Sequence, residues 1–259
     1  MVLPLADPAR AAPSSSASLP TTSRTAPAGP TRKRAAAPQR TGVRDQAAAA
    51  TREAILKAAI KVFAKHGFAG GRIEEISRIA KSYDRMIYYY FGSKESLFIA
   101  VIEEIYRRFN EAESRLALDL SQPVQALRDV IAFIWGYYQK HPEFITLLNS
   151  ENLHRGRHIA RTTRAGEYAS PALAVLGQVL GSGAATGAFR ADLRARDVYL
   201  MIAAMGYFYL SNRFTLSAFL GENLEDPAAL DHWQQFVTEA VLRTVSLPAA
   251  PAQKSKPTR

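Results

Sequence analysis

The chain has 259 residues, of which 47% are hydrophobic and none is cysteine, and its formal net charge is +10 at pH 7. This length and apolar content allow one or two domains with a sizeable core. The absence of cysteine excludes disulfides, thiolate metal sites and cysteine nucleophiles.

The positive charge is concentrated toward the N-terminus. Residues 1–50 carry a net +5 and residues 51–95 a net +4, whereas residues 96–246 carry −2. A basic module attached to a nearly neutral body indicates that one end of the molecule binds a polyanion. Residues 1–47 hold seven of the fourteen prolines in an Ala-, Ser- and Arg-rich background, which predicts a disordered tail. Residues 247–259 are predicted to form a second disordered tail.

The apolar run at residues 198–210 is too short to cross a bilayer. The N-terminus also lacks the apolar segment of a signal peptide. A cytoplasmic protein without a membrane partner is therefore expected.

Between the two tails, the apolar residues recur at helical spacing. Prolines 123, 142, 171 and 227 each precede such a run, as at the start of a helix. No stretch alternates with the two-residue period of a strand, so the sequence predicts an all-α protein. The predicted helices cover residues 51–66, 73–80, 84–90, 94–118, 123–140, 142–154, 157–184 (broken near Ser170), 194–219 and 227–246.

The first three helices have the pattern of a helix-turn-helix module. The first presents one apolar stripe, formed by Ile55, Ala58, Ala59, Val62 and Phe63. Gly67 is expected to end it in a left-handed conformation. Ile73, Ile76 and Ile79 are expected to face inward from the second helix. A short turn at 81–83 leads to the third. We therefore predict a DNA-binding domain over residues 48–98, with the helix-turn-helix motif at 72–91.

The third helix, DRMIYYYF, is expected to bury one face and present the other to DNA. Ile87, Tyr90 and Phe91 fall at i, i+3 and i+4 and form the predicted inner face. The predicted outer face consists of Asp84, Arg85, Tyr88 and Tyr89. Tyrosine hydroxyls can donate to phosphate oxygens, and arginine can reach guanine edges or phosphates. Ser93 is the predicted N-cap of the fourth helix, whose N-terminus, with Lys94 beside it, offers a further phosphate site.

Residues 51–98 resemble the DNA-binding domain of the TetR family of bacterial transcriptional regulators. The resemblance is carried by A-x-x-x-F-x-x-x-G-F in the first helix, I-x-x-I in the second, and I-Y-x-Y-F-x-S-K-E-x-L around the third. The turn departs from the family pattern, because Ala80-Lys81-Ser82-Tyr83 stands where Ala-Gly-Val-Ser is usual. Gly71-Arg72 stands where the family often has a threonine.

The resemblance implies phosphate contacts at Tyr88, Tyr89 and Lys94. It implies base reading at Asp84, Arg85 and Met86, and Arg72 is a further candidate for a phosphate contact. The full set of predicted DNA-binding residues is Arg72, Lys81, Ser82, Tyr83, Asp84, Arg85, Met86, Tyr88, Tyr89 and Lys94.

The resemblance also implies a helical effector-binding and dimerisation domain over residues 99–246. Its last two long helices would pair with those of a second copy through Val198, Met201, Ile202, Met205, Leu230, Trp233, Phe236, Val237 and Ala240. Two recognition helices about 34–36 Å apart would then meet successive major grooves of a palindromic double-stranded operator. A small-molecule effector would change their separation, with the fourth helix as the lever. The candidate effector-binding residues are Trp135, Tyr138, Asn149, Asn152, Tyr168 and Tyr207.

One polar cluster has the spacing of a metal site. Glu151, His154 and His158 stand at i, i+3 and i+7, which would align them on one helical face. The intervening Arg155-Gly156-Arg157 argues against one straight helix, and a solvated or pocket-lining polar stretch is far commoner. We therefore predict no metal and no other cofactor.

The sequence thus predicts a homodimeric repressor that a small-molecule effector releases from its operator. One alternative is an architectural DNA binder that responds to no ligand. Another is an all-α carrier or enzyme with an incidental basic end. The enzyme is disfavoured because no nucleophile–base motif and no glycine-rich phosphate loop is present.

Overall fold

The computed structural model describes residues 40–162 and 170–247, and within these ranges the chain is helical with no strand. No helix there is long and apolar enough to cross a membrane. The helices are α1 (Arg40–Gly70), α2 (Ile73–Ile79), α3 (Asp84–Phe91), α4 (Lys94–Glu113), α5 (Pro123–Lys140), α6 (Pro142–Leu153), a 3-10 turn (Ile159–Arg161), α7 (Ser170–Ala185), α8 (Ala195–Leu220) and α9 (Pro227–Val245).

Helix α1 is longer than the sequence predicted. It begins at Arg40 rather than at residue 51, so residues 40–47 are helical, although the sequence assigned them to a disordered tail. The run of alanines at 47–50 explains the extension, because alanine has the highest helix propensity. Gly67 has φ 67° and ψ 178°. This is a glycine-only conformation outside the left-handed helical region that was predicted, and it kinks the chain.

The first three helices pack around one small core. Ile55, Phe63, Ile76 and Ile87 are fully buried in it, and Phe98 of α4 closes it. The expectation for Ile79 is wrong, because its side chain is 38% exposed. At about 100° per residue, each isoleucine in the series Ile73, Ile76 and Ile79 lies about 60° around the helix axis from the one before it. Ile79 has therefore turned away from the inner face.

Helix α4 ends at Glu113 rather than at residue 118. Leu116, Leu118 and Leu120 follow with a spacing of two, and a helix would place neighbouring members of that series on opposite sides. The chain instead turns and enters α5 at Pro123. Helix α5 packs against α7, α8 and α9, and α6 packs against α1. The packing of α6 on α1 joins the N-terminal module to the rest of the molecule.

The predicted helix over 157–184 is interrupted. Arg155 and Gly156 have φ values of 58° and 70° and turn the chain after α6. The Glu151 carboxylate then accepts hydrogen bonds from the backbone N–H groups of His158 (2.8 Å) and Ile159 (2.9 Å). The following 3-10 turn ends at Arg161, and α7 begins at Ser170.

Candidate functional site

Helix α3 divides its side chains between the core and solvent as the sequence predicted. Ile87 and Phe91 are buried, and Tyr90 packs partly against the core. On the other side Tyr88 is 50% and Tyr89 78% exposed, and Asp84 and Arg85 are exposed as well. An exposed pair of tyrosines cannot be explained by packing within the module, so this face is available to a partner.

The turn before α3 is held by Ser77 of α2. Its backbone carbonyl accepts a hydrogen bond from Ser82 N at 2.9 Å, and its hydroxyl donates to Asp84 Oδ1. Lys81 stands where the TetR pattern usually has glycine, and its φ is 51°. This positive φ is less favourable for lysine than it would be for glycine. These contacts fix the angle at which α3 leaves the turn.

Arg85 and Tyr83 form one exposed unit at the start of α3. The Arg85 guanidinium carbon lies 5.2 Å from the centre of the Tyr83 ring, and Tyr83 is 71% exposed. Both line a shallow depression together with Ser77, Ser82 and Asp84. Stacking on an aromatic ring limits the motion of the guanidinium while leaving its N–H groups free to donate.

Lys94 is less free than the sequence suggested. Its ammonium donates to the carbonyl of Ala69 at 3.2 Å and lies 5.1 Å from the centre of the Phe68 ring. Burial lowers the pKa of the Lys94 ammonium. Ser93 caps α4 as predicted, because its hydroxyl accepts a hydrogen bond from Ser96 N at 3.0 Å. Lys94 thus ties the start of α4 to the end of α1, beyond its kink at Gly67.

The side chains of the remaining DNA-binding candidates differ in their exposure to solvent. Arg72 and Lys81 are exposed, whereas Met86 is half-buried and packs against the core. Two positions escaped the sequence reasoning. Ser77 is buried inside α2, and the guanidinium of Arg52 lies 4.9 Å from the Phe91 ring. Both act through contacts between helices, which the spacing within one helix does not reveal.

The structure separates the candidate effector-binding residues. Trp135 and Tyr138 are buried on α5, and the backbone of α8 at Gly206 packs against both rings. Asn149 Oδ1 accepts hydrogen bonds from the hydroxyls of Tyr207 and Ser211. Asn152 is exposed, and Tyr168 lies outside the described residues. The structure therefore brings Trp135 and Tyr138 together and places Asn152 at the surface.

The interior of the C-terminal helices perturbs several ionisable groups. Burial and, to a smaller extent, the nearby Tyr199, Tyr207 and Glu151 raise the pKa of Tyr106 to about 12. Burial alone raises the pKa of the Glu113 carboxyl to about 7. At neutral pH the Tyr106 hydroxyl is therefore neutral, whereas the Glu113 carboxyl is close to the midpoint of its titration.

The three residues with metal-like spacing serve other purposes. Glu151 Oε2 lies 2.6 Å from His158 Nδ1, and His154 Nδ1 donates to the carbonyl of Ser150 at 2.7 Å. Across residues 40–162 and 170–247, no group of three His, Cys, Asp or Glu side chains is arranged to hold a metal ion.

Two family models match the chain. The model for bacterial regulatory proteins of the tetR family covers residues 55–101, and the model for the tetracyclin repressor-like C-terminal domain covers residues 123–241. The HTH-type transcriptional repressor NicS of Pseudomonas putida is 54% identical over 205 residues, which are 79% of this chain and 97% of that protein. The HTH-type transcriptional regulator RutR of Escherichia coli is 45% identical over 65 residues, 25% of this chain and 31% of RutR.

Solved structures agree in fold. The crystal structure of a transcriptional regulator from Streptomyces coelicolor has a TM-score of 0.55 at 23% identity, covering 76% of this chain and 99% of that one. A TetR-family regulator from Mesorhizobium loti has a TM-score of 0.54 at 19% identity, with 77% and 98% covered. The two family models and the near full-length similarity to NicS lead to one conclusion: the chain belongs to the TetR family of DNA-binding transcriptional regulators.

Proposed function

We propose that the protein is a homodimeric repressor that binds a palindromic operator and leaves it when a small-molecule effector binds the C-terminal helices. The observation that carries this proposal is the exposed face of α3, with Arg85, Tyr88 and Tyr89 directed to solvent beside a buried Ile87. Arginine and tyrosine on a recognition helix can supply base and phosphate contacts. The name of NicS, a repressor 54% identical to this chain, supports repression over activation.

Dimerisation is supported by apolar side chains that α8 and α9 leave at the surface. The exposed ones are Leu200, Phe208, Phe214, Phe219, Leu220 and Phe236. A single copy gains nothing by exposing so many large apolar groups, and a self-complementary contact would bury them. One recognition helix also reads too few bases to select a site by itself.

Some residues expected at this interface lie elsewhere. Val198, Ile202 and Val237 are buried in the core of their own chain. They belong to the inner faces of α8 and α9, because the same helices must first pack against α5. Of the nine residues expected at the interface, Phe236 is the one among the large exposed apolar groups, at 53%.

The dimer is tested by sedimentation equilibrium on Phe236→Glu beside Leu153→Glu. Leu153 is an 84% exposed leucine at the end of α6, so it controls for adding a charge at an exposed apolar position. We expect Phe236→Glu to become monomeric and to lose binding to a palindromic duplex, while Leu153→Glu stays dimeric. A Phe236→Glu protein that remains dimeric and bound would contradict the proposed interface.

The architectural alternative would give equal affinity for all sequences and a steep dependence on salt. It has no use for an effector site, so an effector that releases DNA would exclude it. Because the proposed DNA partner of a bacterial regulator lies in the cytoplasm, we place the protein there. Its proposed role needs no enzymatic step and no cofactor.

A further inference from the structure

Within the described residues, three buried polar atoms on α4 and α5 have no hydrogen-bond partner. They are Asn110 Oδ1 and Glu113 Oε2 of α4 and Trp135 Nε1 of α5. Glu113 is 2% and Trp135 4% exposed. Buried polar groups in folded proteins are nearly always satisfied, so three unsatisfied ones on two neighbouring helices call for an explanation.

The three atoms lie on helix faces that meet in the interior. Tyr106, Asn110 and Glu113 are spaced i, i+4 and i+7 and share one face of α4. Trp135 and Tyr138 share a face of α5 at i and i+3. Phe144 of α6 joins the two faces, because its ring centre lies 5.6 Å from that of Tyr106 and 5.6 Å from that of Tyr138.

The Glu113 carboxyl is close enough to Tyr199 and Tyr138 to act on the pKa of both. Burial is the largest cause that raises the pKa of Tyr199, and the Glu113 charge adds to it. The same charge also acts on Tyr138, behind burial and three neighbouring tyrosines. Among the residues that the structure describes, no cation offsets the Glu113 charge, since burial is the one cause acting on its pKa. A buried carboxyl without a protein donor is suited to accept a hydrogen bond from a bound molecule.

We propose that Glu113 anchors the effector, and that the effector is a small planar aromatic molecule with N–H or O–H donors on one edge. Asn110 Oδ1 and Glu113 Oε2 accept from that edge, and the indole N–H of Trp135 donates to an acceptor on the molecule. The rings of Tyr106, Tyr138 and Trp135 supply flat apolar walls, which suit a planar ligand. This inference deepens the proposed effector response and rests on it for the biological role of the site.

The edge that faces Glu113 is neutral or cationic. A carboxylate at that edge would be repelled by Glu113, because burial leaves neither charge screened by water. A cationic donor would form a charge-assisted hydrogen bond with the ionised carboxylate, which is stronger than a neutral one. Four simple probes separate these cases: benzamidine is cationic with N–H donors, benzamide is neutral with N–H donors, N,N-dimethylbenzamide lacks donors, and benzoate is anionic.

The test is isothermal titration calorimetry of the full chain at pH 7.5 with each probe at millimolar concentration. We expect benzamidine and benzamide to bind at least about tenfold more tightly than N,N-dimethylbenzamide and benzoate, as the donor requirement dictates. Equal binding of all four probes would overturn the proposal. Absence of binding by both donor probes would overturn it too.

Two variants test whether the preference for donor probes depends on Glu113. We expect Glu113→Gln to weaken benzamidine binding at least about tenfold by removing the charge-assisted bond, and to weaken benzamide less. Glu111→Gln is the matched control, since Glu111 lies two residues away on the exposed side of the same helix and pairs with Arg107. Unchanged benzamidine binding in Glu113→Gln, or equal loss in both variants, would contradict the assignment.

Failure of this inference is distinguishable from failure of the proposed function. If some metabolite releases operator DNA equally from wild type and from Glu113→Gln, the effector response stands and the role of Glu113 is refuted. If the donor probes bind through Glu113 but no bound molecule affects DNA binding, the site stands and the effector response is refuted.

Discussion

Glu151 and His158 form a buried pair that fixes the junction between the DNA-binding module and the C-terminal helices. The carboxylate lies 2.6 Å from His158 Nδ1 and also accepts the backbone N–H groups of His158 and Ile159. Arg157 Nε donates to His158 Nε2 at 3.3 Å, so the ring carries its proton on Nδ1. The Phe68 ring lies 4.6 Å and the Phe98 ring 4.9 Å from the imidazole.

This pair is expected to contribute strongly to stability. Glu151→Gln removes a charge that accepts three hydrogen bonds and places an amide N–H against one of the donors. We expect the free energy of unfolding to fall by roughly 1–3 kcal/mol, the cost of leaving buried groups unsatisfied. Urea denaturation measures it. Glu239→Gln, at an exposed pair with Arg243, is the control and should change it by less than about 0.5 kcal/mol. If the two substitutions lower the free energy of unfolding equally, the buried pair stabilises the fold no more than the exposed pair does.

The tyrosines of α3 provide a matched pair of substitutions. Tyr88→Phe removes an exposed hydroxyl, and we expect it to weaken binding to all DNA sequences alike, because phosphate contacts carry no sequence information. Tyr90→Phe removes a hydroxyl from the inward-facing neighbour and should leave DNA binding nearly unchanged. Fluorescence anisotropy over a salt series checks both. A change in base preference for Tyr88→Phe, with nonspecific affinity intact, would contradict the phosphate assignment.

Arg85 is the side chain from which we expect base reading. Arg85→Ala should relax preference at one position of each half-site by roughly 1–3 kcal/mol, the discrimination of one good bidentate contact. Competition binding with single-base operator variants measures the preference at every position. Arg243→Ala, an exposed arginine on α9, is the control for removing one positive charge. If Arg85→Ala lowers affinity uniformly at all positions, Arg85 contacts phosphate and the base reader lies elsewhere.

The recurrence of apolar residues at helical spacing made much of the DNA-binding module predictable. The apolar stripe of α1 and the two faces of α3 follow from helical spacing, and burial of Ile55, Phe63 and Ile87 confirms them. The break at Arg155-Gly156 was expected, but the helix predicted to begin at residue 157 does not form there, because the Glu151 carboxylate binds the backbone N–H groups of His158 and Ile159. Trp135 was predicted as an effector-binding residue, but Asn110 and Glu113 escaped notice for a related reason. Their lack of partners is a property of packed helices far apart in sequence.

Glu113 makes stability depend on pH. Its folded-state pKa is raised to about 7 from an ordinary value of 4.5, so the folded state binds the proton more tightly than the unfolded state. Stability from this group is therefore fully present below pH 4.5 and is lost as pH rises toward 7. We expect Glu113→Gln to increase the free energy of unfolding by roughly 2–3 kcal/mol more at pH 8 than at pH 4.5.

Urea denaturation of wild type and Glu113→Gln at both pH values measures this difference. Glu111→Gln, at an exposed site, should show no comparable dependence on pH. A Glu113→Gln protein whose gain is the same at pH 4.5 and pH 8 would show that the carboxyl is ionised in the folded state without cost.

The most direct test of dimeric base reading by α3 is selection of bound duplexes from a random pool at physiological salt. We predict a recovered palindrome whose half-site centres are about 10–10.5 base pairs apart, or a multiple of that, because two recognition helices must meet the same side of the duplex. Arg85→Ala should recover the same palindrome with one position degenerate. Recovery of no motif, with binding abolished by added salt, would contradict the account and leave an architectural DNA binder.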